Sequence, residues 1–136
     1  GSGYQTSILS LLSRRVYSIE RIKPLLVNAQ SCFKKLKLTN IISEFGDGFL
    51  GWPKLAPFDH MIITCAVKKI DDRLLNQIRV NGSCVVPIGK TKKQQRLTKI
   101  TIGKYRHDDV WEDLGKVSFV PLITEKDWIT FNFWEY

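Results

Sequence analysis

A glycine-flanked carboxylate at Asp47 constrains the fold more than any other feature of the sequence. The β-rich segment 41–45 runs directly into Gly46, Asp47 and Gly48. An open α/β sheet places an acidic side chain in this way, at the carboxyl end of a strand beside a ligand. The glycines permit positive φ and let a flat ligand approach the main chain closely. The tripeptide alone is also typical of a tight turn between two strands.

Length and composition limit the classes of protein to consider. A chain of 136 residues fits one domain and can bury a sizeable core. With 43% hydrophobic and 25% charged residues, the sequence indicates neither disorder nor a fibrous fold. No apolar run approaches the roughly 18 residues that a membrane span needs, and the first residues do not resemble a signal peptide. We therefore expect a globular protein with no membrane partner.

The cysteines and histidines argue against a metal site. Cys32, Cys65 and Cys84 are odd in number and widely spaced, so we interpret them as reduced core thiols in a cytoplasmic protein. His60 and His107 have no partner three or four residues away, as a metal site on one helix face would require. We predict no metal.

The net charge of +8 favours anionic partners, with nucleic acid as the default. The lysines, however, occur in short scattered groups, such as 34–37, 68–69 and 90–93, without aromatic residues between them. This arrangement is more typical of a solvated basic surface than of a nucleic-acid site.

The chain opens on a second glycine turn, in which Gly1 and Gly3 precede a helical apolar pattern. Such a turn offers backbone N–H groups and the positive end of a helix to a carboxylate or phosphate. A short strand, 15–19, then ends at Glu20, where a dinucleotide-type fold places its acceptor for ribose hydroxyls. Glu20 is equally suited to face the macrodipole of the helix predicted over 22–36. From these residues alone both interpretations stay open.

Several strings in the chain together resemble the protein-L-isoaspartate (D-aspartate) O-methyltransferase family. They are residues 16–21, 46–53, 56–59, 85–89 with the preceding Gly82, and 113–122. The resemblance covers nearly all of residues 1–126. It implies an α/β fold with a Rossmann-like, doubly wound sheet that uses S-adenosylmethionine and releases S-adenosylhomocysteine.

The resemblance also assigns the cofactor contacts. Gly1 and Gly3 are similar to the last two glycines of the family's cofactor motif, and Glu20 to its ribose acceptor. Asp47 and Gly48 would accept from and donate to the adenine edge. The implied reaction transfers a methyl group to the free carboxylate of L-isoaspartyl residues in damaged proteins, as a repair step. A carboxylate is anionic at neutral pH and needs no general base.

We name no catalytic residue, because family members supply the substrate-orienting hydroxyl from a region upstream of the glycine motif. Gln94 and Gln95 are candidate substrate-loop residues, since the family's equivalent loop ends in a glutamine pair; plain solvent exposure is the alternative. Lys68 and Lys69 replace a small, proline-containing loop of the relatives and could attract an acidic peptide.

The chain begins inside the glycine motif, so we expect a fragment truncated at its amino end. We predict one partial domain, with a cofactor-binding half over 1–89 and antiparallel strands and an aromatic tail over 90–136. The family's central strand would precede Gly1, and its loss would leave open edges on the strands ending at Glu20 and Thr64. Those edges could self-associate, receive another segment, or close on each other in altered register.

Two other functions stay open: a methyltransferase with a nucleic-acid acceptor, and an inactive remnant that binds no cofactor. The remaining elements predicted are a helix from Asp71 or Asp72 with Ile78 on its buried face, and a strand over 84–88. A strand over 96–102, a polar connection over 103–112 and a last strand over 113–122 follow.

Overall fold

The computed structural model describes residues 1–123. The predicted aromatic tail, 128–136, lies outside the described residues. Contacts divide the chain into two compact units, Gly1–Gly48 and Phe49–Tyr136.

The first unit alternates helices and parallel strands. Its elements are α1 (Tyr4–Leu12), β1 (Val16–Glu20), α2 (Lys23–Lys35) and β2 (Ile41–Phe45). The strands pair in parallel, from Val16 opposite Ile41 to Glu20 opposite Phe45. Parallel neighbours need a crossover connection, which α2 supplies. The predicted strand over 41–45 is confirmed at both ends, and the strand predicted over 15–19 lies one residue further along.

Helix α2 buries one stripe and ends in a defined cap. Leu26, Ala29 and Phe33 are its buried residues, at the spacing of one helical face. At its end, the Leu38 N–H donates to the Phe33 carbonyl at 3.0 Å, and Lys37 adopts a φ of 55°. This is the Schellman arrangement with a lysine in place of the usual glycine. It turns the chain toward β2.

The second unit contains a four-stranded sheet in the order β3-β4-β5-β6. Its elements are β3 (Phe58–Ile62), α3 (Asp72–Leu75), β4 (Ile78–Ile88), β5 (Arg96–Thr101) and β6 (Val110–Lys116). Strand β3 pairs with β4 in parallel, whereas β4, β5 and β6 are antiparallel. The core of this unit is apolar: Val67, Ile70, Leu74, Leu75, Ile78, Cys84, Val86, Ile100 and Ile102.

The prediction was wrong about the start of β4. We expected Ile78 to belong to the preceding helix and the strand to begin at Cys84. Instead α3 ends at Leu75, and Ile78 pairs with Phe58. The register then shifts before His60 pairs with Ser83, because β4 carries an irregularity that includes Asn81 at a φ of 65°. A turn-like string can therefore be a bulge inside a strand.

Three further expectations need correction. The polar connection predicted over 103–112 ends early, because Val110–Glu112 already pair with β5. The last strand is correspondingly Val110–Lys116 rather than 113–122. Of the three predicted core thiols only Cys84 is buried, which raises its pKa to about 12, whereas Cys32 is exposed. Cys32 lies off the buried face of α2.

The predicted α/β class is confirmed: one sheet is parallel and the other is mixed, and helices α2 and α3 connect the parallel strands within them. The strands form two sheets rather than one, since β1 pairs with β2 and β3 pairs with β4. Within residues 1–123 no helix has the length and apolar character to cross a membrane.

Candidate functional site

The candidate site lies at the carboxyl edge of the two-stranded sheet in the first unit. Glu20 is the last residue of β1 and stands opposite Phe45, the last residue of β2. The Gly46 N–H donates to the Glu20 carbonyl at 3.1 Å, which extends the pairing by one residue. Because both strands run in the same direction, the segment carrying Asp47 leaves the sheet at the edge where Glu20 lies.

The Glu20 carboxylate is held by two donors. Its Oε1 accepts from the Ile22 N–H at 2.8 Å, and its Oε2 accepts from the amino group of Gly1. The side chain is only 19% exposed. Burial raises the pKa of Glu20, but the hydrogen bond and charge of the Gly1 amino group, with the backbone hydrogen bonds, lower it below its ordinary value overall. Glu20 is therefore an ionised acceptor at neutral pH.

The glycine turn before α1 meets the same carboxylate. Gly1 contacts Glu20, and Gly3 precedes the first residue of α1 with a φ of 81°. A Cβ on Gly3 would lie 2.7 Å from Cε1 of Phe33 and 2.9 Å from Cβ of Ala29, so the turn packs directly on α2. Both the conformation and the space exclude a side chain there. The first turn of α1 thus begins close to Glu20.

Asp47 and Gly48 follow β2. Asp47 is half-buried, and Gly48 is exposed and begins a short 3-10 turn, Gly48–Leu50. A Cβ built on Gly48 meets no atom within 4 Å. The backbone at Gly48 is therefore open to close approach by a flat group, although neither Gly46 nor Gly48 has a positive φ. Glu20, Gly1, Gly3, Asp47 and Gly48 all belong to the first unit.

The two predicted substrate-loop glutamines lie in the second unit and differ from each other. Gln94 is exposed, and its Oε1 accepts from the Thr91 hydroxyl at 3.3 Å. Gln95 is 4% exposed; its Nε2 donates to the Phe119 carbonyl at 3.0 Å, and its Oε1 accepts from the Phe119 N–H. The side chain of Gln95 therefore holds the segment after β6, while that of Gln94 faces solvent.

The sequence did not indicate Gln77, which shapes the loop after Gly48. Gln77 is buried, accepts from the Trp52 N–H at 2.7 Å and donates to the Leu50 carbonyl at 3.0 Å. Gly51 has a φ of 63°, and a Cβ there would collide with the Gln77 side chain. The only available signal was a polar residue two positions after the buried leucines of α3.

No group of three or more potential metal ligands occurs among residues 1–123. His60, which we expected to be a packed or surface residue, is exposed, and its Nδ1 lies 3.0 Å from the Ser83 hydroxyl.

Comparison with solved structures shows the fold. The chain superposes on a protein-L-isoaspartate O-methyltransferase with a TM-score of 0.81, at 23% identity, over 91% of this chain and 40% of the other. It also superposes on a Plasmodium falciparum protein assigned to the same enzyme family, determined in complex with S-adenosyl-L-homocysteine. The TM-score there is 0.68 at 23% identity, over 80% of this chain and 52% of the other.

Sequence comparison identifies the family. A protein-L-isoaspartate O-methyltransferase from Nitrosococcus oceani is 42% identical over 92% of this chain and 58% of its own length. A relative of the same name from Caulobacter vibrioides is 46% identical over 90% of this chain and 54% of its own length. The chain thus spans a little over half the length of these curated relatives. The model of the family "Protein-L-isoaspartate(D-aspartate) O-methyltransferase (PCMT)" matches residues 1–127, and the chain belongs to that family.

Proposed function

We propose that this chain supplies the S-adenosylmethionine-binding part of a protein-L-isoaspartate O-methyltransferase that acts in protein repair. One observation carries the proposal: Glu20 and the glycine-flanked Asp47 follow neighbouring parallel strands at one sheet edge, and the glycine turn before α1 meets Glu20 there. In open α/β sheets, ligands bind outside the carboxyl ends of the strands.

The donors and acceptors at this edge fit the cofactor. An ionised carboxylate only accepts hydrogen bonds, and its two oxygens together offer about four lone-pair sites. Glu20 therefore keeps acceptor capacity for ribose hydroxyls beyond its bonds to Ile22 and Gly1. The positive end of α1 suits the carboxylate of the cofactor's amino-acid part.

For the adenine edge, Asp47 and Gly48 offer complementary groups. The Asp47 carboxylate would accept from the exocyclic amine, and the backbone N–H of Gly48 would donate to a ring nitrogen. The open space at Gly48 supports this assignment, because a base can lie against the main chain there.

The chain's contribution to the reaction would be positioning. S-adenosylmethionine supplies an activated methyl group on its sulfonium. The acceptor carboxylate of an isoaspartyl residue is already anionic, so no residue of this chain is needed as a general base. Holding the two reactants in line would account for much of the rate gain. The exposed Gln94 remains our substrate-loop candidate.

The partners and location follow from the same proposal. The substrates would be proteins and peptides that contain isoaspartyl residues, and the location would be the cytoplasm. A nucleic-acid acceptor is the alternative partner.

Calorimetric titration of the chain with S-adenosylhomocysteine tests the proposal. We expect binding that Glu20→Ala and Asp47→Ala each weaken by about 10- to 100-fold, since each removes a hydrogen bond to a charged group. Glu44→Ala, which removes an exposed carboxylate from β2, is the control and should bind as the unsubstituted chain does. A folded chain that releases no heat, or equal affinities for all variants, would contradict the proposal.

A further inference from the structure

Five exposed lysines lie in two loops of the second unit. Lys68 and Lys69 follow the segment that leaves β3, and Lys90, Lys92 and Lys93 follow β4. We refer to these five residues as the lysine edge.

Backbone pairing brings the two loops to the same edge of the sheet. Val67 forms a parallel bridge with Ile88. The Val67 N–H donates to the Pro87 carbonyl at 3.0 Å, and the Gly89 N–H donates to the Val67 carbonyl at 2.9 Å. Because the bridged segments run in the same direction, the residues after Val67 and those after Ile88 emerge side by side.

The charge of the lysine edge is not balanced by its own loops. Segments 66–70 and 89–95 contain no aspartate or glutamate. The next acid along the chain, Asp71, pairs mainly with Arg73, whose Nε and Nη2 donate to it at 3.0 and 2.9 Å, and Lys69 adds a weaker attraction to the same carboxylate. None of the ion pairs identified within residues 1–123 includes a member of the lysine edge. Among residues 1–123 the edge therefore presents a net positive charge to solvent.

We propose that the lysine edge binds acidic stretches of the polypeptide that flank the residue to be methylated. This inference rests on the proposed function, which makes the substrate a polypeptide. The loops at the carboxyl ends of strands are where such a sheet meets its ligands. Lysine is a mobile point charge, which suits carboxylates at variable spacing along an extended chain.

The lysine edge is less suited to nucleic acid. Proteins that bind single strands combine positive charge with aromatic side chains on which bases stack. Neither segment 66–70 nor segment 89–95 contains an aromatic residue or an arginine. The observations therefore favour an acidic polypeptide, and nucleic-acid binding becomes an outcome of the test.

Fluorescence anisotropy with labelled isoaspartyl peptides tests the inference. Three peptides share one isoaspartyl centre and carry flanks of glutamate, glutamine or lysine. We expect the glutamate peptide to bind about tenfold more tightly than the glutamine peptide at low salt. This advantage should disappear near 0.5 M salt, where the screening length is only about 4 Å. The lysine peptide should bind weakest.

Two double variants with the same loss of charge locate the effect. Lys92→Gln with Lys93→Gln should weaken binding of the glutamate peptide by about three- to tenfold, as expected for two exposed ion pairs, and leave the glutamine peptide unchanged. Lys34→Gln with Lys35→Gln removes two exposed charges at the end of α2 and should change neither.

Three results would overturn the inference: equal binding of the glutamate and glutamine peptides, equal effects of the two double variants, or an oligonucleotide that binds the lysine edge more tightly than the acidic peptide. S-adenosylhomocysteine titration of the same variants separates this inference from the proposed function. If cofactor binding persists while charge discrimination fails, only the lysine edge is refuted. If charge discrimination persists without cofactor binding, the proposed function fails.

Discussion

At the residue scale, Gly3 joins the packing of the first unit to its candidate site. Gly3 has a φ of 81° at the position directly before α1. Because it has no side chain, the turn can lie against Phe33 and Ala29 of α2. An L side chain in this conformation is strained, and here it would also overlap a buried ring. One residue thus determines both where α1 begins and how closely α1 approaches α2.

We predict that Gly3→Ala lowers the free energy of unfolding of the first unit by about 2 to 4 kcal/mol, the sum of backbone strain and overpacking. Urea unfolding followed by circular dichroism measures the change. Gly46→Ala is the matched control, because its added Cβ would only make an ordinary contact of 3.5 Å with Ile19. Equal stabilities of the two variants would show that the turn is not packed as described.

At the element scale, short elements in the second unit depend on specific polar contacts. Gln77, just after α3, bonds to both sides of the turn at Gly51, and also donates to the Arg73 carbonyl at 3.1 Å. The four-residue α3 is too short to be stable by helix propensity alone. Its Asp71 cap, its two buried leucines and Gln77 therefore hold it in place.

Gln77→Ala should destabilise the second unit by about 1 to 3 kcal/mol, because the Trp52 N–H and the Leu50 carbonyl would lose a buried partner. The measurement is the urea midpoint of the full chain. Gln94→Ala removes the same amide from an exposed position and should leave the midpoint within about 0.5 kcal/mol of the original. If Gln77→Ala left the urea midpoint unchanged, water would have to replace the hydrogen bonds of the lost amide.

The Asp71 cap of α3 should make the free energy of unfolding depend on pH in the acidic range. Side-chain and backbone hydrogen bonds with Arg73 lower the pKa of Asp71 from 3.8 to about 2. The folded state therefore gains stability from the ionised carboxyl above about pH 4 and loses it as the pH falls toward 2.

Asp71→Asn keeps a capping oxygen without the charge, so we expect a smaller fall in the urea midpoint between about pH 4.5 and 2.5 than in the unsubstituted chain. Arg73→Gln should flatten the same curve, and the two substitutions together should add little, because they remove one interaction. Curves for the variants that run parallel to the original would refute this role of the pair.

At the scale of the whole molecule, local patterns predicted elements well and long-range partners poorly. The strand over 41–45 and the placement of Glu20 at the end of β1 were predicted, because apolar strands bounded by turn residues leave a clear local signal. The roles of Gln77 and Gln95 depend on partners more than twenty residues away, which no local pattern encodes.

The division of the strands into two sheets was partly foreseen. We expected open edges on the strands ending at Glu20 and Thr64. This expectation came from the order of strands in the family that the sequence resembles. The structure pairs β1 with β2 in one sheet and β3 with β4 in another, and the open edges stay a prediction. The long β4 could not be predicted, because the string 80–82 resembles a turn until its pairing partners are known.

The most direct test of the central claim is a nitrogen-15 NMR titration of the full chain with S-adenosylhomocysteine. The account predicts that the largest amide shifts occur at Gly3, at Ile22, whose N–H reports on the Glu20 carboxylate, and at Gly48. The amide chemical shifts of β5 and β6 should not change. A folded chain whose spectrum does not change at saturating ligand, or whose shifts fall only within the Phe49–Tyr136 unit, would contradict it.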